Sequence, residues 1–259
     1  MSRKVAFLGA TKGMGRALAR RLAARGDRLF LLGRDLDDLQ RSARDLEVRA
    51  GAVAGEGEGG APRASAVGVA LCDLERPDTF APALDAAQSA LGGLDTVVVS
   101  GALFATQEAL EADPELTRRL LTVDFAHTVV FCEQARGRLL AGGGGTLCVF
   151  SSVAGERGRK PVILYGAAKA GLSRYLEGLD HKFHARGLRV VCVKPGFVRT
   201  GMTEGLRAPP FAGDAEGVAA QVERAIDRGR PVVYAPRIWG LIMLVIRTLP
   251  RFVMRRIGF

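Results

Sequence analysis

The stretch that most restricts the fold is the apolar run Val5 to Leu8, followed by Gly9-Ala10-Thr11-Lys12-Gly13-Met14-Gly15 and then a helical pattern from Arg16 to Arg25. A strand, a glycine turn and a helix N-terminus in that order form an anion site. Glycines let the backbone approach a pyrophosphate, and the unpaired N–H groups with the helix dipole hold it. The rest of the chain repeats this rhythm. Runs with strand character at Arg28 to Leu32, Ala66 to Leu71, Thr96 to Ser100 and Leu147 to Phe150 alternate with helical segments from Leu36 to about Arg49, Pro114 to Leu140 and Tyr165 to His184. The alternation predicts an α/β chain with a doubly wound parallel sheet and helices on both faces. A length of 259 residues at 48% hydrophobic content suits one domain, 1–235, followed by a C-terminal extension, 236–259.

The end of the second strand bears on the nucleotide. Gly33 offers no carboxylate to a ribose diol, Arg34 offers a planar cation, and Lys12 adds a second from the glycine turn, a combination that favours NADP(H) over NAD(H). Asp35 is expected to cap the helix that starts at Leu36. Gly51 to Pro62 has the composition of a flexible surface loop and is assigned no chemistry. Asp73 stands at a strand tip, where it either accepts from an adenine amino group or caps the helix after Pro77.

The chemistry is expected around Tyr165 and Lys169, four residues apart on one helix face. An ammonium beside a phenol favours the phenolate, and the spacing predicts a tyrosine pKa lowered from about 10 towards working pH. Ser152 follows the strand-like run that ends at Phe150, which places its hydroxyl at the C-terminal edge of the sheet.

With these residues in place, the chain resembles the short-chain dehydrogenase/reductase family over essentially its whole length. Gly9, Gly13 and Gly15 match the cofactor glycines, with Thr11, Lys12 and Met14 between them. Asp73 and Leu74 match the adenine contact, Ser100 and Gly101 the wall beside the cofactor, and Ser152, Tyr165 and Lys169 the catalytic trio. Pro195-Gly196-Phe197-Val198-Arg199-Thr200 matches the stretch in which Val198 and Thr200 hold the nicotinamide amide. The resemblance implies a Rossmann-type seven-stranded sheet, ketone reduction by hydride transfer, a lysine that also binds the nicotinamide ribose, and a homodimer or homotetramer. Two positions depart from the family pattern. Ser100 stands where the family has an asparagine that braces the strands, so loss of that brace is expected. Asp124 replaces the fourth catalytic residue, an asparagine that holds a water leading from the lysine to solvent. An ionised Asp124 is expected to disfavour the phenolate and to bias the enzyme towards reduction, with Tyr165 as the acid.

The remaining signal is in the tail. From Gly229 to Phe259 there are six arginines and no carboxylate, contributing six of the net charge of +10, around the apolar run Ile238 to Ile246. The run is too short to cross a bilayer. Its Trp239 and flanking arginines suit a helix lying in an anionic membrane surface, and a hydrophobic flap or a dimer contact fits equally well. Basic charge with no recognised motif does not suggest nucleic-acid binding. Ser151 to Arg157, Tyr165 to Leu172 and Val233 to Arg256 are similar to the decaprenylphosphoryl keto-pentose reductases, and less so to ketosphinganine reductases. Both imply a lipid-linked or oily ketone. A non-catalytic NADP-binding scaffold is the alternative of a different class. Cys72, Cys132, Cys148 and Cys192 have no metal-like spacing and read as buried free thiols of a reducing compartment. The first residues carry no apolar signal region, so the expectation is a cytoplasmic protein, peripheral at most on the inner membrane face.

Overall fold

The computed structural model describes residues 2–54 and 67–258. Seven strands form one parallel sheet: β1 (Lys4–Leu8), β2 (Arg28–Gly33), β3 (Gly68–Leu71), β4 (Thr96–Val99), β5 (Gly145–Phe150), β6 (Leu188–Pro195) and, at the edge, β9 (Val232–Ala235). Their order is β3-β2-β1-β4-β5-β6-β9, and β7 (Val198–Arg199) pairs with β8 (Gly213–Asp214) in a small separate ladder. The expected doubly wound sheet is therefore present. Its order reverses between β1 and β4, and in open sheets of this kind ligands bind outside the carboxyl ends of the strands at that point.

The strands read as unbroken apolar runs because both faces are covered. Ala6 and Leu8 of β1 and Leu147 and Val149 of β5 face one cluster, built with the helices α3 (Phe80–Leu91), α6 (Thr128–Ala141) and α7 (Ile163–Phe183). Val5, Phe7, Cys148 and Phe150 face the other, built with α1 (Gly13–Ala24), α2 (Leu36–Ala54) and α8 (Ala215–Arg228). All four cysteines are buried free thiols. Burial pushes the Cys72 thiol up to about 12 and Cys192 up to about 11.

Several boundaries differ from the sequence reading. The α2 helix continues to Ala54, past Arg49 and through Gly51. Residues 55–62 of the expected surface loop and Ala66 of the expected third strand lie outside the described residues. The long helix expected from Pro114 is three pieces, α5 (Pro114–Leu121), a turn of π-helix (Thr122–His127) and α6, and it is preceded by the short α4 (Gln107–Ala112). A π turn inserts a residue and rotates its neighbours, which turns Asp124 fully inward. Among the described residues no helix is long and apolar enough to cross a membrane.

The tail forms α9 (Ile238–Thr248) and α10 (Arg251–Arg256). Trp239, Met243 and Ile246 are buried against Val153, on the loop that follows β5. The Trp239 indole N–H donates to Phe211 O at 3.2 Å, and a Cβ on Gly196 would lie 2.1 Å from the ring. The expectation of Trp239 as a membrane-facing side chain is corrected: it packs inward, where its indole N–H has a partner. Arg247 reaches Glu156 at 3.1 Å, and Arg157 donates to Leu249 O at 2.9 Å, so the extension is tied to the loop that follows β5.

Candidate active site

The residues singled out in the sequence converge at the carboxyl ends of the strands. Gly9, Thr11, Lys12, Gly13, Met14 and Gly15 join β1 to α1; Arg34 follows β2; Asp73 and Leu74 follow β3; Ser100 and Gly101 follow β4; Ser152 follows β5; and Pro195 to Thr200 run from β6 through β7.

The glycine turn is built to admit a phosphate. Gly9 has φ +92°, and a Cβ there would meet Gly101 N at 2.5 Å; on Gly15 it would meet Gly9 O at 2.2 Å. No side chain closes the start of α1: Lys12 makes no cap bond, and the first turn contains no acid. Its free N–H groups and dipole therefore fit a dinucleotide pyrophosphate. Thr200 faces the same turn, 3.5 Å from the Cβ position of Gly13.

Other cofactor candidates are placed differently. Ser100 lies behind the turn, its Oγ donating to Gly9 O at 2.9 Å while its N–H donates to Leu8 O at 2.9 Å. The expected loss of the brace is thus corrected, because a hydroxyl makes the tie between β4 and β1. Leu74 is buried in the core, and its carbonyl accepts from His127 Nδ1–H at 2.6 Å. Asp73 accepts from Glu75 N–H at 3.0 Å, while the turn after Pro77 has no side-chain cap, so the capping alternative for Asp73 is not realised. Asp35 does cap α2, accepting from Asp38 N–H at 2.9 Å. Arg34 is 70% exposed, 4.0 Å from Glu75, and Arg119 engages that carboxylate more closely at 2.8 Å. Lys12 is 3.5 Å from Asp38.

The half of the site around Ser152, Tyr165 and Lys169 is held by side chains. Ser152 Oγ accepts from Ala154 N–H at 3.0 Å, which leaves its own proton free to donate. The loop after it lies directly on α7, since a Cβ on Gly155 would stand 2.6 Å from Ala170 N and from the Lys169 carbonyl carbon. Tyr165 packs edge-on against Phe104 at 5.3 Å between ring centroids and lies within reach of Ser152. Lys169 Nζ is 5.5 Å from the centre of the Tyr165 ring and 3.1 Å from Asp124 Oδ2. Asp124 Oδ1 accepts from Leu103 N–H at 2.6 Å. Lys169 and Asp124 are 2% and 0% exposed, so this is a buried ion pair. The contact is direct, because a carboxylate at this distance attracts the ammonium itself.

The sign of the tyrosine shift is also corrected. Burial pushes the Tyr165 phenol up; Lys169 pulls it down, Asp124 pushes it up again, and Ser152 lowers it through a hydrogen bond, leaving it above its ordinary value. Burial opposes the charge on Lys169, but Asp124 outweighs it with help from Tyr165, and the lysine pKa stays raised. Burial likewise raises the Asp124 carboxyl against the pull of Lys169 and the Leu103 N–H. The helical spacing was read correctly. What it left out was the medium around the phenol; the charge of Asp124 acts in the direction expected of it.

Two positioning residues escaped the sequence reading. Gln107 Oε1 accepts from Ile163 N–H at 2.8 Å and Leu164 N–H at 3.2 Å, capping the helix that carries Tyr165 from fifty-odd positions away. Ser151 Oγ donates to Lys169 O at 3.0 Å and meets Ser173 Oγ at 2.8 Å, pinning β5 to α7. Neither carries a motif; a polar residue at the end of an apolar strand was the only signal for Ser151.

With this geometry defined, comparison with known proteins is informative. Residues 3–210 match the short chain dehydrogenase family model. An uncharacterized oxidoreductase of Mycobacterium tuberculosis is 33% identical over 256 residues, 97% of this chain and 96% of that protein. Carbonyl reductase family member 4 of Xenopus tropicalis is 29% identical over 254 residues, 95% of this chain and 97% of that protein. A short-chain type dehydrogenase/reductase from Mycobacterium ulcerans superposes with a TM-score of 0.77 at 22% identity, covering 90% of this chain and 89% of that one. The chain belongs to the short chain dehydrogenase family. It is an oxidoreductase of that type, and the family uses NAD(H) or NADP(H).

Proposed function

We propose that this protein is an NADP(H)-dependent reductase that converts a ketone to a secondary alcohol on a lipophilic or lipid-linked substrate, such as a polyprenyl-phosphate keto-sugar. The observation that carries this reading is the meeting of Ser152, Tyr165 and a buried Lys169–Asp124 pair beside an open glycine turn. When bound, the nicotinamide supplies the hydride. Ser152 donates a hydrogen bond to the carbonyl oxygen, and Tyr165 gives the same oxygen its proton. A phenol kept protonated by burial and by Asp124 suits the acid role, the direction of reduction.

Arg34 supports NADP(H), being a largely exposed guanidinium at the tip of β2 whose nearest acid is held by Arg119. An oily substrate is supported by Met202, Leu206 and Phe211, all exposed on the segment between β7 and β8. Arg159, between Ser152 and Tyr165, has a buried Nε without a partner, and burial pulls its pKa down. A desolvated cation of this kind suits a substrate that carries an anionic group. The name of the Xenopus relative supports a carbonyl substrate.

The test is NADPH oxidation with a series of ketones of increasing apolar chain length, run beside Tyr165→Phe. Turnover is expected to rise with chain length and to collapse in the variant. If wild type and variant are equally inert while both alter NADPH fluorescence, the protein is a nucleotide-binding scaffold instead.

A further inference from the structure

We propose that an arginine-lined cleft and the outer face of α9 together form a docking surface for an anionic lipid bilayer. The inference stands independently of the reaction proposed above. The cleft has a volume of about 200 Å³ and is lined by Arg224 and Arg228 of α8, by Arg230 and by Arg237. That is below the roughly 300–1,000 Å³ of pockets that enclose whole ligands, and it suits an anionic headgroup.

The α8 helix sorts its charges by face. Glu223 pairs with Arg21 at 2.6 Å, and Asp227 pairs with Arg3 at 2.6 Å and Arg25 at 2.9 Å, so the two acids nearest the cleft arginines in sequence are spent towards the N-terminal segment and α1, and the third, Glu216, stands in the first turn. Among the described residues none of the four cleft arginines has an ion-pair partner. Arg224 and Arg228 stand one helical turn apart, a like-charge arrangement that is unfavourable without a counter-charge.

Arg237 links the cleft to α9. It lies four residues before Leu241, so helical spacing puts it on the side of Leu241, Leu244 and Val245, which are 61%, 51% and 55% exposed. The opposite side of α9 supplies the buried Trp239, Met243 and Ile246, so the fold does not need the outer one. Further arginines, Arg251, Arg255 and Arg256, follow the stripe, and no carboxylate occurs from Gly229 to Phe259. An apolar stripe with arginines at both ends matches the boundary between acyl chains and anionic headgroups. A second copy of this chain would instead bring two such arginine sets together, which like-charge repulsion opposes. Because the inner side of α9 rests on the loop after Ser152, docking here holds the catalytic loop close to the lipid.

The test is flotation of the full chain with phosphatidylcholine vesicles, with and without phosphatidylserine, at low and high salt. Binding is expected only with phosphatidylserine and is expected to fall at high salt. Arg224→Gln with Arg228→Gln should weaken it by about fivefold per arginine, from roughly 1 kcal/mol per basic residue near such a surface. Leu241→Ser with Leu244→Ser should weaken it further, and thermal melts identify any variant that fails to fold; the arginine pair carries the test if the leucine pair does. Absence of flotation at low salt, equal flotation on neutral vesicles, or binding unchanged in the folded variants would overturn the proposal. So would a dimer that the leucine changes split into monomers in a chain that ignores the vesicles.

Discussion

The two halves of the site are held in different ways. The nucleotide half, around β1 and α1, is shaped by what is missing: bare glycines let Gly9, Gly15 and Gly101 crowd together, and the helix end is left without a cap. The catalytic half, around β5 and α7, is shaped by polar groups buried together, with Asp124 and Lys169 at 3.1 Å, Ser151 pinned to α7 and Gln107 capping it. A cradle of backbone tolerates changes on its outer surface but no added carbon inside. A buried charge network tolerates small changes of shape but no unpaired charge. Under the proposed function, the first kind of construction sets where a ligand sits, and the second sets the protonation state of the group that acts on it.

The contrast can be broken most sharply at Tyr165. Tyr165→Phe removes the proton donor and leaves the cradle, so kcat for ketone reduction should fall by about 10²–10⁴-fold with NADPH binding intact by fluorescence titration. Parallel loss of both would mean the two halves are not separate. Gly15→Ala attacks the other half. Its Cβ meets backbone at 2.2 Å, and the Kd for NADPH should rise by at least about tenfold, roughly 1.4 kcal/mol, with no change in the pH dependence of the residual activity. Arg34→Ala should lower affinity for NADPH and leave NADH unaffected, and equal losses for the two would remove Arg34 from phosphate recognition. The smallest change is expected from Gln107→Ala, which strands two N–H groups at the start of α7; a loss near 1 kcal/mol in urea unfolding is expected.

The same contrast explains how much the sequence disclosed. The glycine turn was legible because its function is local: a run, a turn and a helix within about twenty residues, with glycine required by space alone. Ser152, Tyr165 and Lys169 were legible as types and spacings. Their electrostatics were legible only in part: the sign of the Asp124 effect could be read, but the phenol pKa depends first on burial, and Asp124 is turned inward by a π turn that no hydrophobic period signals. Ser100 was misjudged for a related reason: the brace depends on where a hydroxyl can reach, which residue identity alone does not state. Trp239 looked like an interfacial anchor until its contact with Gly196 placed it inside.

The central claim is that burial and Asp124 keep Tyr165 an acid, and the pH profile of NADPH-dependent ketone reduction in wild type and Asp124→Asn tests it most directly. Reduction needs the protonated phenol, so the rate falls as pH rises through the Tyr165 pKa, which the structure places above the ordinary value of 10.0. Removing the Asp124 charge takes away a negative neighbour that raises this pKa, so the alkaline fall should move to lower pH in Asp124→Asn and oxidation of the alcohol should gain at neutral pH. Profiles that coincide in both directions would contradict the account.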